Sequence, residues 1–301
     1  MQFSKIWRSF ALSGKKDKSK SKSSALKRAL IIFSSVIFAL AVIFAFFMIC
    51  DAVAHSKARV VPDYAMDVEG LEDVLSKDKA GWTDEDYDFI YRQTGLTKVY
   101  FDSVSAVNET FILACQQDLF FNAEPSHDAA NFGSSHDYFP DEYFHMAPLQ
   151  AGDVLISASV HTFGWRNGHA ALVLDPTTTV QAISIGTDSM LQTTAWFRRA
   201  TNFLVLRPKI SAEECRSIVA WAYENLIGVE YSLFTGIFNA KNQIDAVQTT
   251  QCAHLVWQAY MSAGYDIDST GGPVVSPKNI ANCDLFQVVQ VNGFDLDALW
   301  S

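Results

Sequence analysis

The chain has 301 residues, 49% of them hydrophobic, enough for a sizeable core in one large or two small domains. Its formal charge of −10 is unevenly spread: residues 1–28 hold nine Lys/Arg and one acid, which leaves 14 basic against 32 acidic side chains in the remainder, net −18. An acidic body lacks the Lys/Arg surface that phosphate backbones require, which argues against nucleic acid as a partner.

Residues 29–50 read ALIIFSSVIFALAVIFAFFMIC, without a charged residue, Pro or Gly. As a helix this run is about 33 Å long at about 1.5 Å per residue, enough to cross a hydrocarbon core of roughly 30 Å. The basic tail, residues 1–28, precedes it, so the positive-inside rule predicts a cytoplasmic N-terminus and an extracytoplasmic body. Ala52-Val53-Ala54 offers an A-x-A cleavage site, and secretion after cleavage near Ala54 is the alternative. The apolar run exceeds the roughly 7–15 residues of a signal core, so a retained single-pass anchor is the expectation.

Residues 51–80 are polar and mixed and read as a linker. Residues 81–147 read as a small helical segment followed by a loop. Thr83-Asp84-Glu85-Asp86 is a capping-box pattern, Tyr87, Ile90 and Tyr91 have helical spacing, and Gly95 is a stop. A second helix is predicted over 108–121, with Phe111, Ala114, Cys115 and Leu119 on one side; Asn108-Glu109-Thr110 is a formal glycosylation triplet. Residues 122–143 read as a loop rich in His, Asp and aromatics. With no helical or strand spacing to bring His127, His136 and His145 together, they read as solvated loop histidines and no metal site is expected.

From Pro148 the pattern changes to short strands. Strands are predicted over 154–160, 170–174, 178–185, 203–207 and 284–291, with a loop over 161–167. Ser211-Ala212-Glu213-Glu214 is a capping box opening a helix whose buried face is Cys215, Ile218, Val219, Ala222 and Leu226. A last helix begins near Thr249 or Thr250 and stops at Gly264, with Leu255, Val256 and Ala259 on one face. The layout is α+β, with one transmembrane helix and a small helical segment ahead of residues 148–301. The widely spaced cysteines contain no C-x-x-C pair. With Cys252 a working thiol, Cys115, Cys215 and Cys283 allow at most one disulfide, whose pairing the sequence leaves open.

Three residues carry a candidate chemistry. Cys252 falls in the first turn of its helix, where unpaired N–H groups and the helix dipole favour a thiolate. His169 begins an apolar strand directly after Gly168, and Gln181 interrupts the next strand. A thiol nucleophile needs an imidazole within reach and a polar group to hold that ring, and Cys252, His169 and Gln181 supply the three types. Bland alternatives are a buried small side chain for Cys252, a carbonyl-bonded core histidine for His169 and a solvent-facing position for Gln181.

Five blocks in this order resemble the circularly permuted NlpC-type papain-fold cysteine hydrolases of the YiiX/YycO-like kind: Pro148-Leu149-Gln150-Ala151-Gly152-Asp153-Val154, Gly168-His169-Ala170-Ala171-Leu172-Val173, Gly228-Val229-Glu230-Tyr231-Ser232, Gln251-Cys252-Ala253-His254-Leu255-Val256-Trp257, and Val275-Ser276-Pro277-Lys278-Asn279. The resemblance covers about residues 148–295. It implies a permuted papain-like fold with an antiparallel sheet and packed helices. It also implies Cys252 as nucleophile, His169 as base, Gln181 as the third polar residue and Tyr231 in the substrate pocket, with no cofactor and no metal. The implied function is a membrane-anchored extracytoplasmic cysteine hydrolase, a peptidase or amidase acting on cell-wall peptide in a bacterium. A departure is Cys252-Ala253-His254, where relatives carry Ser and Glu after the cysteine. Cys-x-His also occurs in the lecithin:retinol acyltransferase-like branch, which keeps lipid-amide substrates, as acyl transfer or deacylation, as the runner-up. His254 with Cys252 is a less favoured zinc-ligand pair. A non-catalytic surface binding module is the rival from another class.

Overall fold

The computed structural model describes residues 3–131 and 134–300, with side chains from 27–129 and 134–300. Residues 1–50 and 51–301 form two units. In the first unit the backbone belongs to α1 (Phe3–His55), and the stretch from Lys27 is apolar and long enough to cross a membrane. Its Leu, Ile, Val and Phe side chains are largely exposed. The basic side chains at 5–22 that give the tail its charge lie outside the described ones.

The second unit is a mixed α+β body. In chain order it contains α2 (Val68–Leu75), a 3-10 turn (Lys79–Gly81), α3 (Asp84–Thr94), α4 (Lys98–Ser103), α5 (Glu109–Leu119), β1 (Ser126–Asn131), β2 (Ser134–Tyr138), β3 (Val154–Ser157), β4 (Val160–Thr162), β5 (His169–Val173), β6 (Thr178–Gln181) and β7 (Met190–Thr193). It continues with α6 (Ala195–Arg199), β8 (Phe203–Pro208), α7 (Ala212–Asn225), β9 (Glu230–Tyr231), β10 (Thr249–Thr250), α8 (Cys252–Ser262), α9 (Pro277–Ala281) and β11 (Phe286–Asn292). The capping boxes at Thr83 and Ser211 form as their sequences predict, and a third forms at Ser276 with Pro277 at the first helical position.

The main sheet is antiparallel, in the order β11-β8-β3-β5-β6-β7. Its central strands are buried on both faces, which is why their sequences run apolar instead of alternating. Val154, Ile156, Ala170, Leu172, Leu204 and Leu206 face α7 and α8. The alternate residues Leu155, Ala171, Val173, Phe203 and Val205 face a second core with Leu71 of α2, Ile90 of α3, Phe101 of α4 and Ile112 of α5. The small helical segment therefore covers one face of the sheet. Residues 51–80, expected as a linker, also belong to this body. They carry α2, and the buried Arg59 donates to the carbonyls of Phe121 (3.0 Å), Thr201 (2.7 Å) and Asp118 and to Asn292 Oδ1 (2.8 Å). A linker reading failed there because polar composition hid a guanidinium used as an internal clamp.

Two further differences bear on the site. The single strand expected over 154–160 is two. After Ser157 the chain breaks away because Asn202 Oδ1 accepts the Ala158 N–H (2.6 Å), and β4 joins a separate antiparallel sheet of order β1-β2-β4. Residues 122–143, expected as a loop, supply the other two strands of that sheet. All five cysteines are free thiols, so none of Cys115, Cys215 and Cys283 is in a disulfide.

Candidate active site

Gly168 sets up the histidine. Its φ of +74° is a left-handed value, and a Cβ there would lie 2.3 Å from the Trp300 ring and 2.6 Å from the Ser157 carbonyl oxygen. The next residue, His169, opens β5 opposite Ser157 of β3. Its ring stacks on Phe197 of α6 (5.6 Å between centroids) and meets the edge of Trp196 (5.1 Å), so it is almost fully buried.

A chain of hydrogen bonds fixes which ring nitrogen carries the proton. The Thr179 hydroxyl donates to the Gln192 carbonyl (3.1 Å) and so accepts from Gln181 Nε2 (2.7 Å). That turns the Gln181 amide oxygen to the imidazole, where it accepts from His169 Nε2 at 2.8 Å. An amide oxygen cannot donate, so Nε2 holds the proton and Nδ1 is the basic nitrogen. Gln181 and His169 meet because β5 and β6 are paired neighbours.

Cys252 is the first residue of α8. Gln251 caps the helix through its side-chain oxygen, which accepts the Ala253 N–H (2.9 Å) and also the Cys252 thiol (3.4 Å); its amide nitrogen donates to the Val275 carbonyl. The backbone N–H groups of Ala170, Ala253 and Cys252 face the sulfur and favour its anion, but burial outweighs them and pushes the thiol up to about 11. Burial also pulls His169 down to about 4, with Gln181 opposing it. The resting pair is therefore a neutral thiol and a neutral imidazole. The thiolate expected from helix position alone is not favoured, because desolvation outweighs the donors of one helix end.

Cys252, His169, Gln181 and Tyr231 line one cleft of about 230 Å³, together with Ser134, His136, Val160, Thr162, Ile183 and Trp196. All four residues singled out in the sequence are thus brought together. Burial and the Cys252 sulfur push the Tyr231 phenol up, so it remains a hydroxyl. A second cleft shares Cys252, Tyr231, Thr162 and Asn167 and extends over Arg166, Leu233, Val274 and Lys278. The sulfur thus stands where an apolar cleft meets one that carries cations. His254 is excluded as a partner of Cys252: its Nε2 bonds the Lys241 carbonyl (2.7 Å) and its Nδ1 meets the Thr250 hydroxyl (3.2 Å).

Sequence reasoning missed Trp196, Thr179 and the pocket wall from β2 and β4. For that wall a signal exists in alternation. Ser134 and His136 of β2, and Val160 and Thr162 of β4, point into the cleft, while Ser135, Asp137 and His161 occupy the opposite face. Comparison of the chain with protein-family models, with curated proteins and with solved structures finds no match.

Proposed function

We propose that residues 148–300 are a circularly permuted NlpC-type papain-like cysteine hydrolase, held at a bacterial cell membrane by residues 29–50 with the body extracytoplasmic, and that it cleaves an amide in cell-wall peptide. The observation that carries this reading is the directed hydrogen-bond chain from Gln192 through Thr179 and Gln181 to His169, which leaves Nδ1 basic in a cleft shared with Cys252. A buried histidine needs an acceptor for its N–H in any role, but a packing role does not call for the free basic nitrogen and the neighbouring thiol in the same cleft.

The chemistry follows from the pair being neutral at rest. The thiol leaves Gln251 for Nδ1 of His169, which takes its proton as the sulfur attacks the carbonyl carbon. The charge forming on the carbonyl oxygen meets the Cys252 N–H at the positive end of α8, with the Tyr231 hydroxyl as a further donor. Protonated His169 returns the proton to the leaving amine as the C–N bond breaks. Water, deprotonated by the same nitrogen, then hydrolyses the thioester and restores the thiol.

One observation favours acyl-lipid chemistry as a second reading. Exposed apolar side chains stand next in the chain to Arg166 and Leu233 of the second cleft: Trp165 (67% exposed) and Phe234 (53%). The deciding experiment incubates the full-length protein in detergent with purified cell wall and, separately, with lipid amides and esters, and identifies products by mass spectrometry. Released amino termini in wall peptide, lost in Cys252→Ser, support the peptidase; acyl release supports the lipid reading. A Cys252→Ser protein with full turnover, or an acyl-probe adduct on Cys283, would overturn Cys252 as the nucleophile, and wild-type protein that turns over neither substrate class and forms no adduct would return a binding module to first place.

A further inference from the structure

Of the histidines expected to be solvated, His127 joins His55 and His161 beside the face of β2 and β4 that points away from the cleft. Nδ1 of His55 lies 2.6 Å and Nδ1 of His127 lies 2.7 Å from Asp137 Oδ1, and Nε2 of His161 lies 3.1 Å from Asp137 Oδ2. Asp137 and His161 are completely buried, and Asp137 Oδ2 and His161 Nε2 have no hydrogen-bond partner. Three ring nitrogens therefore converge on one buried carboxylate.

The far side of each ring explains why a cation belongs among them. Asp51 accepts from His127 Nε2 (2.9 Å) through one oxygen and from His161 Nδ1 (3.0 Å) through the other, and the Ser135 hydroxyl holds it (2.8 Å). Glu124 stands 3.8 Å from Nε2 of His55. A neutral imidazole has one N–H. Once the outer nitrogens donate to Asp51, the inner nitrogens of His127 and His161 present lone pairs to the Asp137 oxygens. Lone pair facing lone pair in a dry site is unfavourable unless positive charge lies between them.

We propose that His55, His127 and Asp137, whose donor atoms all lie within 4.8 Å of one another, bind one divalent transition-metal ion of the zinc class, with His161 against the second Asp137 oxygen and Asp51 behind two of the rings. Two imidazoles and one carboxylate suit zinc and its neighbours, whereas calcium and magnesium take oxygen shells. Tetrahedral ligands at about 2.0–2.1 Å from an ion stand about 3.3 Å apart, so loading asks the His55 and His127 Nδ1 atoms, at 2.6 and 2.7 Å, to draw back from Asp137 Oδ1 by about 0.6 Å. A carboxylate on the outer nitrogen of a ligating histidine is the usual support of such a site. The ion would tie residues 51–55 to the β1–β2 hairpin. His145, the remaining histidine of the 122–147 stretch outside the cleft, bonds Asp118 and takes no part.

The test uses full-length Cys252→Ser protein in detergent, which removes the competing thiol. It is stripped with chelator, dialysed against micromolar Zn²⁺ or Co²⁺, and its metal content measured by mass spectrometry. One ion per chain is expected, with the intense visible absorption of four-coordinate cobalt. Asp137→Asn should weaken binding at least about 100-fold, and His161→Ala and Asp51→Asn, which support the ligands, about 10–100-fold each. His55 and His127 lie at the partly exposed rim, so His55→Ala and His127→Ala should stay folded by circular dichroism and still lose affinity. A Cys252→Ser chain that takes up no ion, or affinity unchanged in both rim variants, would overturn the site and leave a proton-sharing His–Asp network in its place.

Discussion

Acidification tests the neutral state of His169 directly. Burial holds this imidazole at about 4 in the fold, against 6.5 for the free side chain. Between those values the unfolded chain binds a proton that the native site refuses, so stability falls as pH drops from about 6.5 to about 4 and is unaffected above that window. At about 1.4 kcal/mol per pH unit the loss from this one group is about 3 kcal/mol. His254, lowered to about 4 by its own burial, adds a similar loss, so the wild type alone does not isolate the effect. The measurement is urea unfolding of the full-length protein in detergent, followed by tryptophan fluorescence at several pH values between about 7 and about 4, for wild type and His169→Gln. The difference between the two should shrink by about 3 kcal/mol on acidification, because the glutamine cannot titrate. A thiolate–imidazolium pair would instead raise the His169 pKa, and its stabilisation would persist through this window and be lost at higher pH. A flat difference between about pH 7 and pH 4 would refute the neutral pair.

Three further outcomes follow from the same contacts. Iodoacetamide should modify Cys252 slowly at mildly acidic pH, with a rate that climbs into the alkaline range, because burial holds the thiol at about 11; rapid labelling below pH 6 would show a stabilised thiolate. Thr179→Val should cut turnover at least about tenfold and cost about 1–3 kcal/mol in urea unfolding by leaving the Gln181 amide nitrogen unpaired, while Thr179→Ser restores both. Arg59→Met should lower stability by about 3 kcal/mol or more, read as a shift in the urea midpoint, since it strips the buried acceptors Thr201 O, Phe121 O and Asn292 Oδ1 of their donor.

The elements that were legible are those whose signal is local. Capping boxes at Thr83 and Ser211 and apolar runs such as 170–174 involve residues a few positions apart, and each became the helix or strand predicted. The meeting of Cys252, His169 and Gln181 in one cleft had other signals: His169 and Gln181 are polar residues in otherwise apolar strands, and Cys252 stands in the first turn of a helix. The hairpin strands β1 and β2 were not legible, because Ser-His-Asp-Ala-Ala-Asn and Ser-Ser-His-Asp-Tyr have little of the β-branched character that marks a strand. Their strand character comes from pairing with each other and, through β2, with β4, a tertiary effect.

The histidine–aspartate cluster was illegible for the same reason, although parts of its pattern are present in the sequence. Asp51 and His55 are four apart and share a face of α1, and Asp137 and His161 sit at alternate positions of two strands whose other residues line the cleft. Each fragment alone reads as a solvated charge. Only the register that sets Ser135 opposite His161 and His136 opposite Val160 brings them to one face. That register has a chemical consequence. A β2 one residue out of step would turn Asp137 into the cleft and His136 out of it. The buried polar cluster and the pocket wall therefore depend on one pairing, and whatever stabilises Asp137 among its three rings also holds His136 and Thr162 in place around the Cys252 sulfur.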